Sequence, residues 1–165
     1  MHPEYDWIPT WEKLRLPIFS SKIVSFLWKM LHDLLTTEER FHNTLGNIPD
    51  KCSHGCEDFS VANQIHCFFN CSLTYDIGQW LLKIVRIFGP SSESDILKLN
   101  VPNNQALVWI IAVTLFYSWS SRVSKKVADK LQFQAHLDAE LKLMKETHHS
   151  QLAEEIQVII RQATF

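Results

Sequence analysis

The chain has 165 residues, 46% of them hydrophobic and 21% charged, and a formal net charge of -2. That much apolar material excludes intrinsic disorder, and the near-neutral balance excludes a domain that holds nucleic acid by bulk positive charge; phosphate contact would have to come from a local patch. With only four glycines and six prolines there are few sites for tight turns, which predicts a mainly α fold, a small helical domain with a long helical C-terminal tail.

Residues 1–19 read as an extended lead-in broken by Pro3, Pro9 and Pro17, with Trp7 and Trp11 as anchors. No apolar run of signal-peptide length occurs there, and four cysteines in such a chain suit a reducing compartment. The expectation is therefore an intracellular protein of cytoplasm or nucleus. Residues 20–90 read as a first helical unit. Ser20 or Ser21 can cap a helix in which Ile23, Phe26, Leu27, Met30, Leu31 and Leu34 recur every three or four positions. Thr36 and Glu39 have the spacing of a capping box, so a second helix is expected from there to Gly46. A loop at 47–59 follows, then a short helix from Ser60 through His66 toward Cys71, then a helix over Leu73 to Phe88 stopped by Gly89 and Pro90.

Residues 91–102 read as a linker, with one further turn at Ile96 to Leu99. The last unit, 103–165, begins with a helix capped by Asn103 or Asn104 and carrying ALVWIIAVTLFY at 106–117. That run is about half the roughly 20 residues a bilayer requires, so no membrane is expected, and its all-round apolarity predicts a central buried helix. Beyond Ser120 a charged helical tail, as one helix or two, runs to about Ile160. Its segment 135–160 carries Leu137, Leu141, Met144, Leu152, Ile156, Ile159 and Ile160, enough to bind a partner helix, to self-associate, or to fold back onto the core.

The chemistry lies in CSHGC at 52–56 and HCFFNC at 66–71. As spacing this is C-x3-C, nine intervening residues, and H-x4-C. Thiolates and an imidazole are the donors Zn2+ prefers, and the set predicts a zinc site on Cys52, Cys56, His66 and Cys71, two ligands from a loop and two from the end of a helix. With four protein ligands and no open position, such a site is structural. Cys67 and His54 are spare donors; adjacent helical residues diverge by about 100°, so only one of His66 and Cys67 can face the ion. Three thiolates, a neutral imidazole and a divalent ion carry a net charge of -1, so the centre itself would not attract phosphate.

These residues resemble a known family. The order SFLWKMLHDLLTTEERFHN, C-x3-C, HCFFNC and Trp80 is similar to the zinc-binding segment at the C-terminal end of non-LTR (LINE-type) retrotransposon reverse transcriptases, the reverse transcriptase zinc-binding domain. Phe26, Leu27, Trp28, Leu31, Leu35 and Thr36 stand where that family has "fLWrllhgrLpT", and His66, Phe68, Phe69 and Cys71 where it has "HlFfeC". The likeness covers Ile18 to Trp80 and, more weakly, the helix to Arg122. It favours His66 over Cys67 as the third ligand. It also implies a retroelement-derived, non-catalytic module that helps hold RNA or DNA, without the polymerase. No Asp-Asp pair occurs in the chain, and neither an endonuclease nor an RNase H acidic set is recognisable. Motifs of hydrolases, kinases and zinc peptidases are missing as well: there is no G-x-S-x-G, no glycine-rich phosphate loop and no H-E-x-x-H.

For contact with RNA or single-stranded DNA the candidates are Arg40, Lys51, and a strip of Arg122, Lys125, Lys126 and Lys130, in which 122, 126 and 130 repeat every four residues. The competing reading of that strip is the solvated face of a helix, since Asp129 shares it. His136, His148 and His149 lack a carboxylate or cysteine at ligand spacing, and Phe59, Phe68, Phe69 and Trp80 read as core before they read as base-stacking surfaces. The other functional class is a helical protein-interaction domain with a purely structural zinc.

Overall fold

The computed structural model describes residues 6–47, 49–56, 61–147 and 149–163. Among them the architecture is helical throughout, with no strand. In chain order the helices are α1 (Ile8–Leu14), α2 (Ser21–Leu31), α3 (Glu38–Leu45), a π-helical turn at His66–Asn70, α4 (Tyr75–Phe88), α5 (Glu93–Leu97), α6 (Gln105–Val123), α7 (Lys130–Glu146) and α8 (Ser150–Gln162).

In its described part, residues 6–19, the lead-in is not extended. Pro9 lies in the first turn of α1, where a missing N–H costs nothing, so it starts the helix rather than breaking it. Two side chains of α1 bind it to a distant segment: Thr10 Oγ1 donates to the Lys98 carbonyl at 3.0 Å, and Lys13 Nζ donates to those of Leu99 and Val101 at 2.7 and 2.8 Å. That segment, read as a linker, is a packed connection. It carries α5, closed by a reciprocal Ser92–Asp95 capping box, and it buries Ile96, Leu97, Leu99 and Val101.

Helix α2 starts at the expected cap, Ser20, whose hydroxyl accepts from the Ile23 N–H at 3.5 Å. Helix α3 starts one residue later than the Thr36–Glu39 pattern suggests. Thr37 is its cap, accepting from the Arg40 N–H at 3.2 Å, and it ends at Gly46 in the left-handed region, φ +70°. Asn104 caps α6.

Helix α6 is the axis of the molecule. Every residue from Ala106 to Leu115 is buried, against α2, α4, α8 and the π-helical turn. Its 19 residues are long and apolar enough to cross a membrane by length and composition, but 67% of the apolar window is buried inside the fold. The charged tail divides into α7 and α8, both folded back. Phe133, Leu137, Leu141, Ile156 and Ile159 enter the common core, and the Trp80 indole N–H donates to the Ala163 carbonyl at 2.8 Å. One hydrophobic cluster runs from Leu14 to Ala163.

Candidate metal centre

Cys52 and Cys56 lie on the loop before the undescribed residues 57–60, and Gly55 between them takes φ +72°, a conformation that costs glycine nothing. The turn brings their sulfurs within 3.5 Å of each other. His66 opens the π-helical turn and Cys71 closes it, with the Cys71 N–H donating to the His66 carbonyl at 2.7 Å. That i to i+5 bond is what aligns them. In an α-helix, residues five apart point about 140° away from each other; the wider π turn, common at functional sites, puts both on one face. The Asn63 side chain secures the entry by accepting from the His66 N–H at 2.9 Å. The Thr74 hydroxyl secures the exit, donating to the Cys67 carbonyl at 2.8 Å.

The three sulfurs form a near-regular triangle, with Cys52–Cys71 at 3.8 Å, Cys56–Cys71 at 3.9 Å and Cys52–Cys56 at 3.5 Å. The ligand atoms of Cys52, Cys56, His66 and Cys71 all lie within 4.8 Å of one another. No other group of three or more His, Cys, Asp or Glu among the described residues is close enough to share an ion. The structure thus brings the four candidate ligands into one potential metal site. The spare donors are not part of this group. Cys67 turns into the core, where its sulfur lies 3.8 Å from the Ala62 carbonyl and burial pushes the thiol up to about 12. His54 meets Ser72 through its backbone carbonyl instead.

Burial likewise pushes the Cys71 thiol up to about 12, against the Leu73 N–H and the Arg122 charge, so a thiolate at this depth depends on a cation beside it. For Cys56 burial opposes ionisation, but hydrogen bonds from Ser72 and the neighbouring sulfurs outweigh it and hold the thiol below its ordinary value. The Ser72 N–H points at the Cys56 sulfur at 3.3 Å.

Arg122 is not where the basic strip would put it. Helix α6 ends at Val123, Lys125 takes φ +54°, and α7 begins only at Lys130, so 122, 126 and 130 do not share a helical face. Arg122 is buried beside the cysteine cluster, with Nη1 at 3.0 Å from the Cys71 sulfur and 3.6 Å from that of Cys52. Its Nη2 meets Glu38 Oε2 at 2.6 Å. Burial works against its charge, but the sulfurs and Glu38 more than compensate and keep it protonated. Glu38 Oε1 in turn accepts from the Ser53 N–H and hydroxyl at 3.2 and 2.8 Å. Arg122 is therefore withdrawn from phosphate contact. Among the other basic candidates, Arg40 is half-buried and donates to the Asp33 carbonyl, and Lys130 pairs with Asp76 at 3.4 Å. Lys51, Lys125 and Lys126 are exposed, and the Lys125 charge is felt at His54 on the cysteine loop.

Phe68, Phe69 and Trp80 are core residues, while Phe59 and His148 lie outside the described residues. His136 lies against the Tyr117 ring, with centroids 5.4 Å apart. Three residues important to the site carry no motif and escape a linear reading: Glu38, Ser53 and Ser72. A fourth, Gly78, had a signal, since a glycine inside a helical pattern gives up helix propensity and so points to a packing reason. No protein-family model, curated protein or solved structure significantly matches the chain.

Proposed function

We propose that this chain is a non-catalytic module in which Cys52, Cys56, His66 and Cys71 bind one zinc ion that holds the cysteine loop against the π-helical turn. The observation that carries the reading is the sulfur triangle of 3.5, 3.8 and 3.9 Å. Tetrahedral zinc with bonds of about 2.3 Å to sulfur separates its thiolates by about 3.8 Å. Three thiolates and an imidazole are soft and borderline donors, which favour zinc over calcium or magnesium. With all four positions filled by protein, the ion contributes folding free energy rather than a reaction.

The resemblance to the reverse transcriptase zinc-binding domain makes the module retroelement-derived, with RNA or single-stranded DNA as its partner. Support on this chain comes down to Lys51, Lys125 and Lys126, all exposed, of which Lys51 adjoins the cysteine loop in sequence and Lys125 acts on its His54. So few cations on a chain of net charge -2 make the binding weak, salt-dependent and indifferent to sequence. A specific observation favours the other reading, a helical protein-interaction domain. Val123 at the end of α6, Val127 in the connection that carries Lys125 and Lys126, and Leu131 in the first turn of α7 are exposed to 61, 65 and 81%.

Metal analysis of the purified protein beside Cys52→Ser, Cys71→Ser and Cys67→Ser tests the zinc reading. One equivalent of zinc is expected in the wild type and in Cys67→Ser, and none in the other two. A wild type that folds metal-free refutes it. A low-salt gel shift with zinc-loaded protein then separates the partners. A shift that weakens with salt supports nucleic acid. Its absence, with a protein complex detected by light scattering, supports the second reading.

A further inference from the structure

We infer that Arg122 is the charge-compensating positioning residue of the metal centre, and that through Glu38 it sets how tightly the four ligands hold their ion; this rests on the zinc reading above. Three thiolates, an imidazole and Zn2+ leave a net charge of -1. Cys71 and His66 are almost fully buried, and an uncompensated charge at that depth is costly. Arg122 meets that charge directly. Its guanidinium spans two anionic partners at once, Nη1 on the Cys71 and Cys52 sulfurs and Nη2 on the Glu38 carboxylate. A lysine ammonium is a single point charge and cannot repeat this fork.

The contacts close into a ring. Cys52 adjoins Ser53, Ser53 donates twice to Glu38, Glu38 pairs with Arg122, and Arg122 returns to Cys52 and Cys71. Each corner is anchored by its own element. Glu38 opens α3, where a carboxylate suits the positive end of the helix, and Arg122 lies in the last turn of α6, where a cation suits the negative end. The ring thus orients the thiolates from outside their own loop, so the ligands meet the ion already placed. Partners of ligands in this position typically account for about 10–100-fold in metal affinity.

The test measures Zn2+ affinity by competition with a chromophoric chelator, and Co2+ absorption spectra, for wild type, Arg122→Gln, Arg122→Lys and Glu38→Gln. Arg122→Gln is expected to bind Zn2+ about 10–100-fold more weakly and to release it faster, while keeping the four-ligand Co2+ bands. Arg122→Lys should fall between it and the wild type, and Glu38→Gln should show a smaller loss. Wild-type affinity in Arg122→Gln overturns the inference, as does a lowered melting temperature in loaded and stripped protein alike without a change in affinity. If Arg122→Gln does not fold, wild-type affinity in both remaining variants overturns it. A wild type that binds neither metal refutes the zinc reading instead.

Discussion

Arg122 and Lys13 are both cations with almost no exposed surface, and they are used in opposite ways. Arg122 faces anions, whereas Lys13 donates to two backbone carbonyls and has no carboxylate paired with it among the described residues. Burial accordingly holds the Lys13 pKa below its ordinary value. Its three donors suit the task, because Leu99 sits at φ +54° and its carbonyl and that of Val101 need partners where water is excluded. Replacing Lys13 by methionine keeps the aliphatic stem and strands both acceptors. We expect a loss of about 1–3 kcal/mol, measured as a lower urea midpoint with unchanged zinc content. A neutral result would mean that water reaches the two carbonyls. Neither role was legible beforehand, since a lysine or arginine in a sequence shows its charge but not what surrounds it.

At the scale of elements, α4 and the π-helical turn form the rigid support of the site. Gly78 is buried in α4 at the contact, and a Cβ there would lie 2.3 Å from the Phe68 carbonyl oxygen and 2.9 Å from the Phe69 Cα. Both are backbone atoms that cannot swing aside, so the helix gives up propensity at this position to come close to the turn that presents His66 and Cys71. Gly78→Ala gains in helix propensity yet is expected to destabilise by about 1–3 kcal/mol or more and to weaken zinc binding by displacing the turn. Thermal unfolding and chelator competition together check this, and a variant as stable as the wild type would show that the two elements can separate freely. The helices themselves were largely legible: the Ser20 cap, the Gly46 terminus and the Asn104 cap all follow from side-chain chemistry acting within a few residues. The π turn was not. Its extra residue is stabilised by Phe68 and Phe69 entering the core, a contact made with α2, α4 and α6 rather than with sequence neighbours.

At the scale of the whole molecule, the candidate metal site meets the core through the π-helical turn and Arg122 of α6, but most of that core lies elsewhere. Helices α4, α6, α7 and α8 bury their apolar faces against one another, and α6, α7 and α8 lie far along the chain from the cysteine loop. Stripping the ion should therefore lower the melting temperature without abolishing the helical far-ultraviolet signal. A ligand in about 1,000-fold excess over its Kd contributes about 4 kcal/mol of apparent stability, and that is the scale of loss expected on chelation. Circular dichroism melts with and without a zinc chelator test it. Complete loss of helicity would mean the core depends on the ion, and no change would mean the ion clamps nothing.

The sequence by itself determined that the chain is helical, that 106–117 lies at its centre, and which four side chains come together as a potential metal site. Periodicity, caps and ligand spacing are local properties that survive in any fold the chain can adopt. Only the tertiary structure decided that α1 and the 91–102 segment belong to the core, that the tail folds back, and that Arg122 faces sulfur instead of solvent. Each of these depends on groups tens of residues apart meeting in space, where burial converts an ordinary surface charge into a partner for thiolates.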